Sequence, residues 1–146
     1  MGESRLGWIA WLAVAGALLT ALPLASPAQT ATGLQKAVFQ VSDADPQKWN
    51  LTLNNVKNVQ EDLGRQAVEL EIVAYGPGIG MLKLDSPVAM RVADALGSGV
   101  RIVACENTMK GQKLGRADML PNIGYVPAGV VELMTKQRDG YAYIRP

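Results

Sequence analysis

The sequence predicts an α/β domain built on a mostly parallel sheet of about five strands, with helices on both faces. Two observations carry this. Short apolar runs of strand length alternate with longer segments of helical periodicity. The three longer helical segments open on a capping residue or a proline and close on glycine. Strands that alternate with helices in this way form parallel sheets whose connections cover both faces.

Ala37-Val38-Phe39-Gln40-Val41 is the first strand. Asp45-Pro46 then supplies an N-cap and a good first helical residue. Trp49, Leu53, Val56, Val59 and Leu63 recur on one helical face, and Gly64 stops it. Val68–Tyr75 reads as the second strand, followed by a tight turn at Gly76-Pro77-Gly78-Ile79-Gly80. Ser86-Pro87 repeats the start signal, Val88, Val92, Ala95 and Leu96 line the second helix, and Gly97 closes it. Val100–Cys105 is the third strand, with Asn107 or Thr108 as the cap of a short helical turn after it. Tyr125-Val126 makes a brief fourth strand. A helix marked by Val130, Leu133 and Met134 runs from about Pro127 to Asp139, and Tyr141–Ile144 is the last strand. Glu69 and Glu71 alternate along the second strand and are read as a solvated face. Tyr141 and Tyr143 are read as packing or subunit-contact residues. Asn50-Leu51-Thr52 matches a glycosylation sequon but falls inside the first helix.

Residues 1–28 read as a secretory signal peptide. An uncharged apolar run from Trp8 to Leu24 is broken by Pro23 and followed by the small residues of Ser26-Pro27-Ala28. Cleavage after Ala28 leaves a short linker, 29–34, and one domain, 35–146, in a periplasmic or secreted setting. The alternative is an uncleaved membrane anchor, but the run falls short of the roughly 20 apolar residues of a spanning helix. The net charge of +1 comes without a basic run, which argues against nucleic acid as a partner.

The composition narrows the chemistry. The chain has no histidine and one cysteine, Cys105. A Ser-His or Cys-His pair, an imidazole metal site, an internal disulfide and a cysteine metal cluster are all excluded. Neither a metal nor a cofactor is called for by any motif. Nucleophilic or redox chemistry therefore runs through Cys105, at the carboxyl end of a strand and the start of a helical turn. Ligands of open α/β sheets bind along that edge, and amide N–H groups at a helix start favour a thiolate. A buried cysteine acting as a small apolar side chain fits the residues equally well. The Tyr75–Gly80 loop falls on the same edge, and its glycines admit close backbone approach. Its spacing is not that of a dinucleotide-binding loop.

The segment Gly99–Gly111, with Ala104-Cys105-Glu106-Asn107-Thr108 at its centre, resembles the DsrE/DsrF-like family. So do Val126–Leu133 and the ending Gly140–Pro146. Tyr75-Gly76-Pro77-Gly78 matches a loop that many members carry after the second strand. The resemblance spans about Leu34 to Pro146. It implies a three-layer α/β/α sandwich assembled as an oligomer such as a trimer or hexamer. It also implies a sulfur carrier: a cysteine at the end of a middle strand holds sulfur as a persulfide and passes it to a partner thiol, and Cys105 matches that position. The partners would be a sulfane-sulfur donor and an acceptor thiol. Asn107, Lys110 and the amides after Cys105 would steady the anionic sulfur, and Tyr75, Gly76 and Gly78 would shape the pocket. The relay members of the family work in the cytoplasm, whereas this chain opens on an export-type segment. The competing expectation is a non-catalytic oligomeric binding module in which Cys105 only packs.

Overall fold

A computed structural model describes residues 33–146. The expected signal peptide and most of the linker lie outside the described residues. Five strands, β1 (Gln35–Val41), β2 (Val68–Ala74), β3 (Arg101–Cys105), β4 (Gly124–Val126) and β5 (Ala142–Ile144), form one sheet in the order β4-β3-β2-β1-β5. All four pairings are parallel. The chain steps outward from β1 to β4, then returns to add β5 on the free side of β1.

Four α-helices, α1 (Pro46–Leu63), α2 (Ala89–Gly97), α3 (Glu106–Gly111) and α4 (Gly129–Arg138), make the connections. Alternation along the strands sorts side chains onto two faces. Phe39, Ile72 and Ile102 point to one face, where they pack with Trp49, Leu53 and Val56 of α1 and Val92 of α2. Val38, Val73, Val103 and Val126 point to the other, where Leu133 of α4 and Tyr141 cover them. The result is the three-layer α/β/α sandwich.

Local chemistry sets the helix ends. Asp45 Oδ1 accepts a hydrogen bond from the Gln47 amide at 2.8 Å, with Pro46 at the first helical position. Gly64 closes α1 with φ +88°, a conformation open to glycine at little cost. Leu63, expected on the buried stripe, is exposed, because the stripe ends a turn earlier at Gln60. The second helix starts at Ala89 rather than at Ser86-Pro87. The Ser86 carbonyl accepts from the Ala89 amide at 3.1 Å, so these residues form a turn before the helix.

Two expectations are corrected more substantially. The Gly76–Gly80 turn is a longer 3-10 segment, Gly76–Leu82, which buries Ile79, Met81 and Leu82 in the core. Glu71 is not on a solvated face, being only 1% exposed. Helix α4 lies over it and brings Lys136 Nζ to 2.9 Å from Glu71 Oε2, with Arg101 Nε at 3.5 Å. Glu132 flanks both cations at 3.9–4.0 Å. Neither Glu71 oxygen has a well-aligned hydrogen bond, so charge rather than geometry holds it. Glu69 is exposed and accepts from the Tyr141 hydroxyl. Tyr143 donates to Gln40.

Val130 and Met134, two of the three apolar residues that mark the last helix, are exposed together with Val131. Only Gly129 and Leu133 of α4 are buried. Among the described residues no helix is long and apolar enough to cross a membrane.

Candidate functional site

Cys105 is the last residue of β3, paired with Val126 of β4, and the N-cap of α3. The sharp strand-to-helix junction comes from its extended backbone, after which Glu106 is already helical. The helix thus starts one or two residues before the expected cap at Asn107 or Thr108. The thiol is only 5% exposed.

The sulfur takes the place that a Ser or Asp oxygen occupies at most helix starts. No amide closes a regular capping hydrogen bond on it, but polar groups surround it. Burial pushes the thiol pKa up. The Thr108 hydroxyl, then the amides of Gly129, Thr108 and Asn107, pull it down further, and the net shift is below the ordinary cysteine value. The Asn107 amide also donates to the Pro127 carbonyl at 3.1 Å, which fits its place as the weakest of these influences.

Thr108 has a defined orientation. Its Oγ1 accepts from the Gly76 amide at 2.9 Å. With that lone pair used, the hydroxyl proton is free to point at the sulfur. Gly76 therefore reaches Cys105 through Thr108, and its φ of +53° is a conformation that glycine adopts readily. The Gly76 carbonyl accepts from Gln112 Nε2 at 3.2 Å, which ties the loop to the end of α3 from a second side. The opposite wall is the start of α4. A Cβ on Gly129 would stand 3.0 Å from Tyr75 Cβ, so the absence of a side chain there lets the Gly129 amide approach the sulfur.

The expected site residues separate into two groups. Cys105, Gly76, Tyr75 and the backbone of Asn107 come together at the carboxyl edge of the sheet. Tyr75 is half-buried against Gly129, and burial raises its pKa. The Asn107 side chain is exposed and makes no hydrogen bond among the described residues. Lys110 is exposed on α3 and is not among the main influences on the thiol. Gly78 is packed against its own chain: a Cβ there would meet the Val41 carbonyl oxygen at 2.3 Å. That side of Gly78 is closed by β1 and the residue after it. Thr108 and Gly129 are the participants that sequence reading missed. Thr108 was accessible in principle, as the third residue after an N-cap at Cys105. Gly129 comes from another element and carried no local signal.

The edge location does not coincide with the point where the chain reverses its strand order. That reversal lies between β1 and β5, whereas Cys105 ends β3, two strands from β1. Its site is made by the β3–α3 junction and by the 3-10 segment and α4 start that close over it. Among the described residues no cluster of three or more His, Cys, Asp or Glu side chains could hold a metal ion.

Residues 35–146 match the DsrE/DsrF-like family. A solved protein of unknown function from Methanobacterium thermoautotrophicum, MTH1491, is 35% identical. The alignment covers 77% of this chain and 99% of that one, with a TM-score of 0.73. A conserved protein of unknown function from Bacteroides thetaiotaomicron, BT1422, shares the fold at 13% identity and a TM-score of 0.62, over 77% of this chain and 95% of that one. No curated protein matches the chain. On the family match and the 35% identical relative, this chain belongs to the DsrE/DsrF-like family.

Proposed function

We propose that the protein is a sulfur carrier that holds sulfane sulfur as a persulfide on Cys105. The observation that carries this reading is the setting of the only thiol: one hydroxyl and three amides lower its pKa in spite of burial. A core cysteine has no need of such an environment, and burial alone would raise its pKa. Membership of the DsrE/DsrF-like family supports the same reading.

The transfer balances without an outside oxidant. The Cys105 thiolate attacks the outer sulfur of a donor persulfide R–S–SH. The donor S–S bond breaks, R–S⁻ leaves, and Cys105–S–SH forms. An acceptor thiolate then attacks the outer sulfur, takes it as R′–S–SH, and regenerates the Cys105 thiolate, following the exchange logic of disulfides. The groups that lower the thiol pKa stabilise the thiolate in both steps. Tyr75 and Gly76 bound the approach.

Two further elements belong to the proposal. Export to the periplasm or beyond rests on the N-terminal segment. Assembly as a homo-oligomer is supported by the apolar outer side of α4, where Val130, Val131 and Met134 are exposed.

Intact mass after incubation with polysulfide tests the reading. The wild type should gain the mass of one or more sulfur atoms, reversibly with a reducing thiol, and Cys105→Ala should gain none. Equal spectra for the two proteins would overturn it. The 5% exposure of Cys105 favours a second reading, a non-catalytic binding module with a packed cysteine. That reading requires the thiol to resist labelling until the protein unfolds.

A further inference from the structure

A cavity of about 170 Å³ lies between α1 and α2, away from Cys105. Leu53, Val56 and Ala95 give it an apolar floor, and Arg65, Arg91 and Lys57 stand around it. Lys57 is neutralised by Glu61 at 2.6 Å. Arg65 and Arg91 form no ion pair among the described residues, and the one carboxylate that lines the cavity, Asp94, forms none either. The cavity therefore carries an excess positive charge.

Arg91 is held in a particular way. Its Nη1 donates to the side-chain and backbone oxygens of Asn50, and its Nη2 donates to Asn54 Oδ1 at 2.6 Å. Asn50 is itself oriented, because its Nδ2 donates to the Pro46 carbonyl at 2.9 Å and leaves Oδ1 for the arginine. These partners are neutral amide oxygens, so they fix the guanidinium without cancelling its charge. Together they take Nη1 and one N–H of Nη2. Nε–H and the second N–H of Nη2 have no partner among the described residues, and they are the donors left for a carboxylate. A preoriented arginine avoids much of the ordering cost of binding.

We propose that this cavity binds a small monocarboxylate with a short apolar body, its carboxylate on the free edge of Arg91 and its tail over Leu53, Val56 and Ala95. The volume sets the size: an apolar cavity of about 150 Å³ accommodates a benzene-sized molecule. The apolar floor disfavours a fully hydrated inorganic anion.

Titration calorimetry of the purified protein with hexanoate, hexanol and inorganic phosphate tests this. Saturable hexanoate binding is expected, at least about tenfold weaker for hexanol, which cannot form the charge-assisted pair, and for phosphate, whose hydration the apolar floor disfavours. Arg91→Met should lose about tenfold or more for hexanoate, and Ala95→Phe, which fills the floor, should abolish binding. Circular dichroism and thermal melts establish that both variants fold. A folded Arg91→Lys variant serves if Arg91→Met does not fold, and should also weaken binding. No saturable hexanoate binding would overturn the proposal, as would equal affinity for hexanol, a phosphate affinity matching that of hexanoate, or unchanged binding by a folded arginine variant.

Discussion

Thr108 is the residue on which the chemistry of the thiol turns. It accepts from Gly76 and has its proton left for Cys105. In Thr108→Val the sulfur loses its strongest pKa-lowering partner, and the Gly76 amide loses its acceptor. A hydrogen bond to a charged group contributes about 1.5–3 kcal/mol, so thiolate near neutral pH should fall about tenfold or more. Thr108→Ser should restore most of it. Thiolate ultraviolet absorbance across pH checks both, and a Val variant that titrates like wild type would remove Thr108 from the site. At this scale the sequence showed Cys105 clearly, because it is the one thiol in a chain without histidine. Thr108 was hidden by a shift of two or three residues in the helix start. The shift arises because the cysteine itself caps α3 and the helix needs no Asn or Thr to begin.

Among the elements, the 3-10 segment from Gly76 to Leu82 departs most from what the sequence suggests. A glycine-rich stretch after a strand reads as an open turn, and nothing local shows that Ile79, Met81 and Leu82 will be buried. Tertiary packing drew those side chains into the core and turned the loop into a wall. Gly78 is the tightest point. In Gly78→Ala the new Cβ would lie 2.3 Å from the Val41 carbonyl oxygen, so the segment and β1 must part. A loss of about 1–3 kcal/mol or more is expected by chemical denaturation. Gly97→Ala meets nothing within 4 Å and should be neutral or stabilising by about 0.5 kcal/mol. Equal effects at the two glycines would contradict the close packing of this wall.

Over the whole molecule, the parallel sheet was legible because strands and helices alternate with clear caps. The ion cluster beneath α4 was not. Glu71 and Lys136 are far apart in sequence, and alternating glutamates look solvated until a helix is laid over one of them. Only Gly129 and Leu133 are buried along α4, and Lys136 reaches from it to the buried Glu71. Lys136→Met should cost about 1–3 kcal/mol, because Glu71 keeps only Arg101, at 3.5 Å, as a cationic partner, and Glu71→Leu with Lys136→Met should recover much of that. Burial raises the Glu71 pKa against the pull of Lys136. Its contribution to stability is therefore full below the ordinary value of about 4.5 and is lost as pH rises through the folded value. Denaturation from acid to neutral pH should show this decline in the wild type, and Glu71→Gln should flatten it. An equal decline in both would place its origin elsewhere.

The same three layers put one thiol at the β3–α3 junction and close it between the Gly76 loop and the start of α4. That this thiol is a working group rather than core filling is the central claim. The most direct test is the rate at which a thiol reagent labels Cys105 in the native protein across pH. Labelling of the folded state with a midpoint below the free-cysteine range of about 8.5 is the predicted result. Labelling that appears only on unfolding, or a midpoint at or above that range, would contradict it.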